Sequence, residues 1–237
     1  TLERRVIDKQ QEERETRTKA GAFIGAIMGH DAASAEHWAM PTTGCDKKVL
    51  FVDNRDSFVH TLGDYVRQTG ADIVTVRAGF PDRVFDEESP DLVFISPGPG
   101  TPLQFGVPDL VRRCVDRQLP LFGVCLGMQG LVEAFGGQLG VLDYPMHGKA
   151  SVVRCDAVGF LEGFPTSFLA ARYHSLYAQE SQLPDCLRVL ARTEDGIIMA
   201  VEHRDYPAGA VQFHPESILT LKDDLGRRLI SQVIARF

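Results

Sequence analysis

From Lys48 onward the chain alternates short apolar runs with longer amphipathic stretches, and few folds accept that rhythm. Residues 49–52 (VLFV), 73–76 (IVTV) and 92–95 (LVFI) are too short for helices and read as strands buried on both faces. The stretches 58–67, 109–117 and 126–135 carry apolar residues at helical spacing. The alternation predicts an α/β fold, a mostly parallel sheet with helices on both faces. Ligands in that architecture gather at the carboxyl ends of the strands. Asp53, Ser96 and Cys125 stand at such ends, so their loops are expected to share one rim. Further strands are expected at 151–155, 168–172, 187–192, 197–202 and 209–213, with spacings short enough to be partly antiparallel. A helix over 223–236 closes the domain.

The first 47 residues follow another pattern. Residues 8–19 (DKQQEERETRTK) lack any apolar side chain, yet Glu13 with Arg17 and Glu15 with Lys19 are spaced for helix-supporting ion pairs. Residues 20–28 (AGAFIGAIM) add a short apolar patch, and 31–48, with Pro41 and Gly44, read as a linker. The chain therefore divides into a helical leader and linker, 1–47, and a domain, 48–237. It begins with Thr1, which fits a segment of a longer polypeptide. A net charge of −7 argues against nucleic acid or an anionic membrane as partner. No apolar run approaches the roughly 20 residues that span a bilayer, and the charged N-terminus lacks a signal-peptide core, so a cytoplasmic location is expected.

Chemistry concentrates at Gly123-Val124-Cys125-Leu126-Gly127, where an apolar run meets an amphipathic stretch. A side chain on such a strand-to-helix turn is lifted clear of the sheet, flanking glycines remove Cβ atoms that would clash, and the helix N-terminus favours a thiolate. The other cysteines (Cys45, Cys114, Cys155, Cys186) are scattered and never form a CxxC pair, which suggests neither a disulfide framework nor a zinc site. His214-Pro215-Glu216 supplies a base and an orienting carboxylate, with proline keeping the segment extended. Oxyanion donors are offered by the amide of Leu126 and by the glycine loop Ser96-Pro97-Gly98-Pro99-Gly100, although a plain turn explains that loop equally well. Gln129, one helical turn after Cys125, either enters the site or lies on a solvated face. Tyr173-His174-Ser175-Leu176 follows a strand-like run and can line a pocket. Asp56 or Ser57 reads as a helix cap. The seven histidines do not cluster as metal ligands, and neither GxxxxGK(S/T) nor GxGxxG is present.

Six motifs in this order, VDNRDSF (52–58), SPGPG (96–100), PLFGVCLGMQ (120–129), PMHGK (145–149), RYHSL (172–176) and AVQFHPES (210–217), resemble the class I (triad) glutamine amidotransferases. The resemblance covers residues 48–237 and is greatest to the amidotransferase component that serves anthranilate synthase. It implies a flavodoxin-like fold in which Cys125 attacks the side-chain amide of L-glutamine. His214 then acts as general base and as acid to the leaving ammonia, Glu216 orients His214, and a glutamyl thioester is hydrolysed. Gly98, Pro99, Gly100 and Leu126 match the oxyanion and glutamine-binding positions, and Gln129, Ser175 and Leu176 match residues that hold the substrate. Ammonia would pass to a chorismate-utilising synthase, to which residues 145–149 would lie near as a loop. Any magnesium would belong to that synthase, with no cofactor in this domain. The leader looks like the tail and linker of a fused chain in which the synthase comes first. Three alternatives stay open: another chorismate-derived product (aminodeoxychorismate or a phenazine precursor), a non-catalytic regulatory module, and a hydrolase of γ-glutamyl peptides.

Overall fold

The computed structural model describes residues 43–237 apart from 221–223. The expected leader helix and most of the linker therefore lie outside the described residues. The elements are β1 (Lys48–Asp53), α1 (Val59–Gln68), β2 (Asp72–Arg77), α2 (Arg83–Glu88), β3 (Leu92–Ile95), α3 (Val107–Asp116), β4 (Leu121–Val124) and α4 (Leu126–Ala134). They continue with β5 (Leu139–Cys155), β6 (Ser167–Ala178), β7 (Leu187–Thr193), β8 (Ile198–His203), β9 (Ala208–Val211) and α5 (Leu225–Arg236).

Among the described residues, the nine strands form one sheet in the order β2-β1-β3-β4-β9-β8-β7-β5-β6. The β2-β1-β3-β4-β9 half is parallel, and the remaining pairs, including β9 with β8, are antiparallel. The split follows the sequence: only strands separated by helix-length segments can run parallel, whereas the closely spaced strands after Leu139 turn back on their neighbours.

Alternate residues of the parallel strands face two different helical layers. Val49, Phe51, Phe94 and Phe122 pack with Val59, Leu62 and Val66 of α1 and Leu229, Ile230 and Val233 of α5. Leu50, Val52, Val93 and Ile95 pack with Val107, Leu110 and Val111 of α3 and Met128 and Leu131 of α4. On the first face Phe51, Phe94 and Phe122 are register partners across β1, β3 and β4, with ring centroids 5.3 and 5.5 Å apart. The next position in that row is Gly209 on β9, where the Phe160 ring takes the space a side chain would need; a Cβ there would lie 2.8 Å from it. Each fully buried ring contributes about 2–3 kcal/mol of transfer free energy, so this row anchors the half of the sheet that carries the site.

Three local readings change. Residues 145–149 are no loop: they lie within β5, whose pairing with β6 is broken by register shifts between Val141 and Met146 and between His147 and Lys149. Pro145 and Gly148, which signal a turn, mark those irregularities instead. Residues 173–176 lie inside β6 and do not follow it. The α1 N-cap is Phe58, and Asp56 supports the turn before it by accepting the Phe58 amide at 2.7 Å. Among the described residues, no helix is long and apolar enough to cross a membrane.

Candidate active site

β4 ends at Val124, and Cys125 follows with φ 53° and ψ −99° before α4 begins at Leu126. Positive φ is rare for a residue with a side chain, and here it tips the thiol out of the sheet at the helix N-terminus. The Cys125 amide is tied to the carbonyl of Val211 on β9 at 2.7 Å, which fixes the turn to the neighbouring strand end. The flanking glycines are a steric requirement. A Cβ on Gly123 would lie 2.6 Å from the backbone carbon of Gly127, and one on Gly127 would lie 2.7 Å from the Ile95 carbonyl oxygen.

Beyond β9 the chain carries Gln212, Phe213 and His214 along the same edge. The His214 amide donates to the Ala171 carbonyl at 3.0 Å, so β6 holds this segment from the other side. His214 Nδ1 lies 2.6 Å from Glu216 Oε1, and both side chains are buried. A carboxylate only accepts, so Nδ1 carries a proton and Nε2 is left as the chemically active nitrogen. Nε2 makes no hydrogen bond of normal geometry. Cys125 is nevertheless close enough to act on it: burial disfavours the imidazolium, but the charges available on Cys125 and Glu216 outweigh it and hold the His214 pKa well above 6.5. Phe58 and Tyr173 pack on the ring at 5.6 and 5.0 Å and limit its rotation, and Tyr173 is in turn within hydrogen-bond distance of Ser217.

The glycine loop abuts the same helix end. A Cβ on Gly98 would lie 2.6 Å from Leu126 Cδ2 and 2.9 Å from the Asn54 carbonyl oxygen. Asn54 and Ser96 lock the β1 and β3 ends together through Asn54 N to Ser96 Oγ at 2.9 Å and Asn54 Nδ2 to the Ser96 carbonyl at 2.8 Å. Asp53, Ser96 and Cys125 thus do share one rim. As a first-turn residue of α4, Leu126 has an amide with no intrahelical acceptor. Pro99 and Gly100 are exposed, and Gly100, with φ 73°, is accounted for by the turn that lets Gln104 Oε1 accept the Thr101 amide.

Gln129 is buried and enters the site. Its Nε2 donates to the Leu176 carbonyl at 3.2 Å and to Gln212 Oε1 at 3.3 Å, and Gln212 Nε2 lies 3.5 Å from Cys125 Sγ. Sequence reasoning missed Gln212; the available signal was a lone polar residue closing a fully buried strand two positions before His214. The Leu176 carbonyl joins this network, while Ser175 is exposed on β6 between buried His174 and half-buried Leu176. Cys114 and Cys155 are buried as Cys125 is, but neither stands at this strand-to-helix turn beside His214, and burial pushes the Cys114 thiol up to about 12.

His174 lies behind Leu176. Arg172 Nε donates to its Nε2 at 3.1 Å, so Nδ1 carries the proton and donates to the Leu176 carbonyl at 2.8 Å. Burial first, and the Arg172 charge second, lower the His174 pKa from 6.5 to about 4. In the unfolded chain His174 takes up a proton near pH 6.5, whereas the folded chain resists until about pH 4, so stability falls as pH drops through that window. The full effect is about 3 kcal/mol. Urea midpoints measured from pH 7 to pH 4 should fall more steeply for the natural chain than for His174→Gln.

The family model for class-I glutamine amidotransferases matches residues 50–228, which include every one of these groups. The chain belongs to the class-I glutamine amidotransferase family. Two relatives extend the comparison. The amidotransferase is 49% identical over 230 residues to a protein of Azospirillum brasilense named anthranilate synthase, covering 97% of this chain and 31% of that one. This chain thus spans about a third of that relative's length. It is 42% identical over 194 residues to anthranilate synthase component 2 of Methanocaldococcus jannaschii, covering 79% of this chain and 96% of the relative. The crystal structure of a putative GMP synthase component from Thermoplasma acidophilum superposes with a TM-score of 0.71 at 22% identity, over 79% of this chain and 92% of that one. That likeness speaks for the fold.

Proposed function

We propose that this amidotransferase hydrolyses the side-chain amide of L-glutamine through a thioester on Cys125 and supplies the ammonia to a chorismate-utilising synthase that makes anthranilate, in tryptophan biosynthesis. The observation that carries the reading is the meeting of Cys125 on its strained turn with a His214 whose far nitrogen is held by Glu216 at 2.6 Å. In this reading His214 draws the proton from the Cys125 thiol as general base. Sulfur attacks the amide carbon, and the oxyanion is met by the Leu126 amide and the turn at Gly98. His214 gives its proton to the leaving nitrogen, which departs as ammonia. The neutral imidazole then draws a proton from water, whose oxygen displaces the thiolate and releases glutamate. Gln129, Ser175 and Leu176 hold the substrate. These steps need no cofactor in this chain, and a magnesium requirement would fall to the synthase.

The partner reading rests on several observations. Leu103 beyond the glycine turn, Val141 and Tyr144 on β5 and Ile218 just after Glu216 are large apolar side chains left exposed on segments that border the site, which suits a docked synthase. The match to the Azospirillum protein extends over 230 residues and so takes in most of the segment before Lys48. We read residues 1–47 on that basis as the tail and linker of a preceding synthase, and residues 48–237 as the amidotransferase domain. The free cysteines suit a reducing, cytoplasmic compartment.

The test is to supply the protein and its synthase with chorismate and amide-labelled glutamine. Label in the amino group of anthranilate is the expected outcome. Label in aminodeoxychorismate would overturn the product assignment, and faster cleavage of γ-glutamyl peptides than of glutamine would overturn the substrate.

A further inference from the structure

The polar groups behind Cys125 form a chain whose direction can be settled bond by bond. Arg172 is a donor only, so Nε2 of His174 must accept and Nδ1 must donate to the Leu176 carbonyl. That carbonyl is an acceptor only, so the Gln129 atom 3.2 Å from it must be Nε2. The same amino group lies 3.3 Å from Gln212, which must therefore present its Oε1 to Gln129. The other end of the Gln212 amide, its NH2 group, is then the one aimed at Cys125 Sγ, 3.5 Å away, an ordinary separation for the larger sulfur atom. Gln212 is fully buried, and its own backbone amide is fixed to the Met199 carbonyl at 2.8 Å. A flip of the amide would set two donors against each other at Gln129, so the donor cannot turn away from the sulfur without breaking the chain.

We propose that Gln212 is a catalytic residue, whose side-chain amide donates to the Cys125 thiolate, stabilises it and holds its attacking lone pair toward the substrate. This rests on the reading of Cys125 as the nucleophile. A buried thiolate with His214 on one side needs a second donor to fix its orientation, and a neutral amide supplies one without taking the proton that ammonia release requires. The arrangement also joins the nucleophile to Gln129 and Leu176, two of the substrate-holding positions. Glutamine binding at those positions would tighten or shift the donor at the sulfur, so that occupancy and activation are linked.

Gln212→Met keeps the length of the side chain and removes its donor. Two readouts apply, the rate of Cys125 alkylation by iodoacetamide against pH and the kcat and KM for glutamine. The rise in alkylation rate should move to higher pH by about one unit, and kcat should fall about tenfold or more while KM changes far less. An alkylation profile superimposable on that of the natural chain would overturn the proposal even if kcat fell, because packing alone would then explain the loss. Gln212→Glu, of the same shape, carries the test if the methionine variant does not fold. It sets a carboxylate oxygen against the sulfur and should move the profile further in the same direction, and an unmoved profile again overturns the proposal. Failure of the underlying reading looks different: alkylation of the natural chain would then be insensitive to Cys125→Ser.

Discussion

Replacing Cys125 with serine is expected to lower glutamine hydrolysis by about ten-thousand-fold or more while leaving the fold in place. Serine fits the space, and the turn at φ 53° is held by the Val211 carbonyl and the glycine contacts whichever atom the side chain bears. What disappears is a thiol, which gives up its proton to His214 far more readily than an alcohol does. A hydroxyl would have to surrender its proton during attack, to an imidazole poised for a more acidic partner. His214→Gln should cost a comparable amount, and the double substitution scarcely more than either single one, because nucleophile and base act as a unit. Ammonia release measured beside the melting temperature checks both points. Equal turnover by Cys125→Ser and the natural chain would remove Cys125 from the mechanism.

The largest structural effect is expected at Gly226, in the first turn of α5. A methyl group there would sit 1.9 Å from the carbonyl oxygen of Pro215 and 2.9 Å from its carbon. Both are backbone atoms of the segment between His214 and Glu216, so no side chain can swing aside. Gly226→Ala should destabilise the domain by about 3 kcal/mol or more, read as a drop in melting temperature of roughly 6–12 °C. Glutamine hydrolysis at temperatures where the protein remains folded should also fall, by about tenfold or more, because a displacement below 1 Å is enough to spoil the base. Gly63 in α1 is the control. The Cβ added there meets only Arg67 and Ile73 side-chain atoms at 3.7 Å, so Gly63→Ala should stabilise by about 0.5–1 kcal/mol. The same substitution in two helices thus has opposite expected signs.

The contrast shows which parts of the site are legible in the sequence. Cys125 was legible because strand, glycine, cysteine and helix are contiguous, and the turn geometry follows from local chemistry. His214 and Glu216 were legible because Pro215 fixes the backbone between them. The parallel half of the sheet could be read because its strands are continuous apolar runs set apart by helix-length segments. The loop that the family resemblance implies at residues 145–149 is a strand here, and its proline and glycine sit at irregularities in the β5–β6 pairing. Gln212 was invisible for another reason: its role depends on the carbonyl of Leu176, in β6, which settles through Gln129 which end of the amide faces the sulfur. Gly226 likewise depends on a contact between α5 and a loop that only the tertiary fold brings together. Local patterns announced the nucleophile and base, while long-range contacts decide how they are held.

The central claim, that Cys125 is the group that attacks a bound glutamine amide, is tested most directly by labelling with a glutamine analogue bearing an electrophilic diazoketone in place of the amide. The account predicts one equivalent of label per chain, located on Cys125 by peptide mass spectrometry, with labelling slowed in proportion to added glutamine. Label on Cys45, Cys114, Cys155 or Cys186, or label on Cys125 at a rate that glutamine does not change, would contradict it.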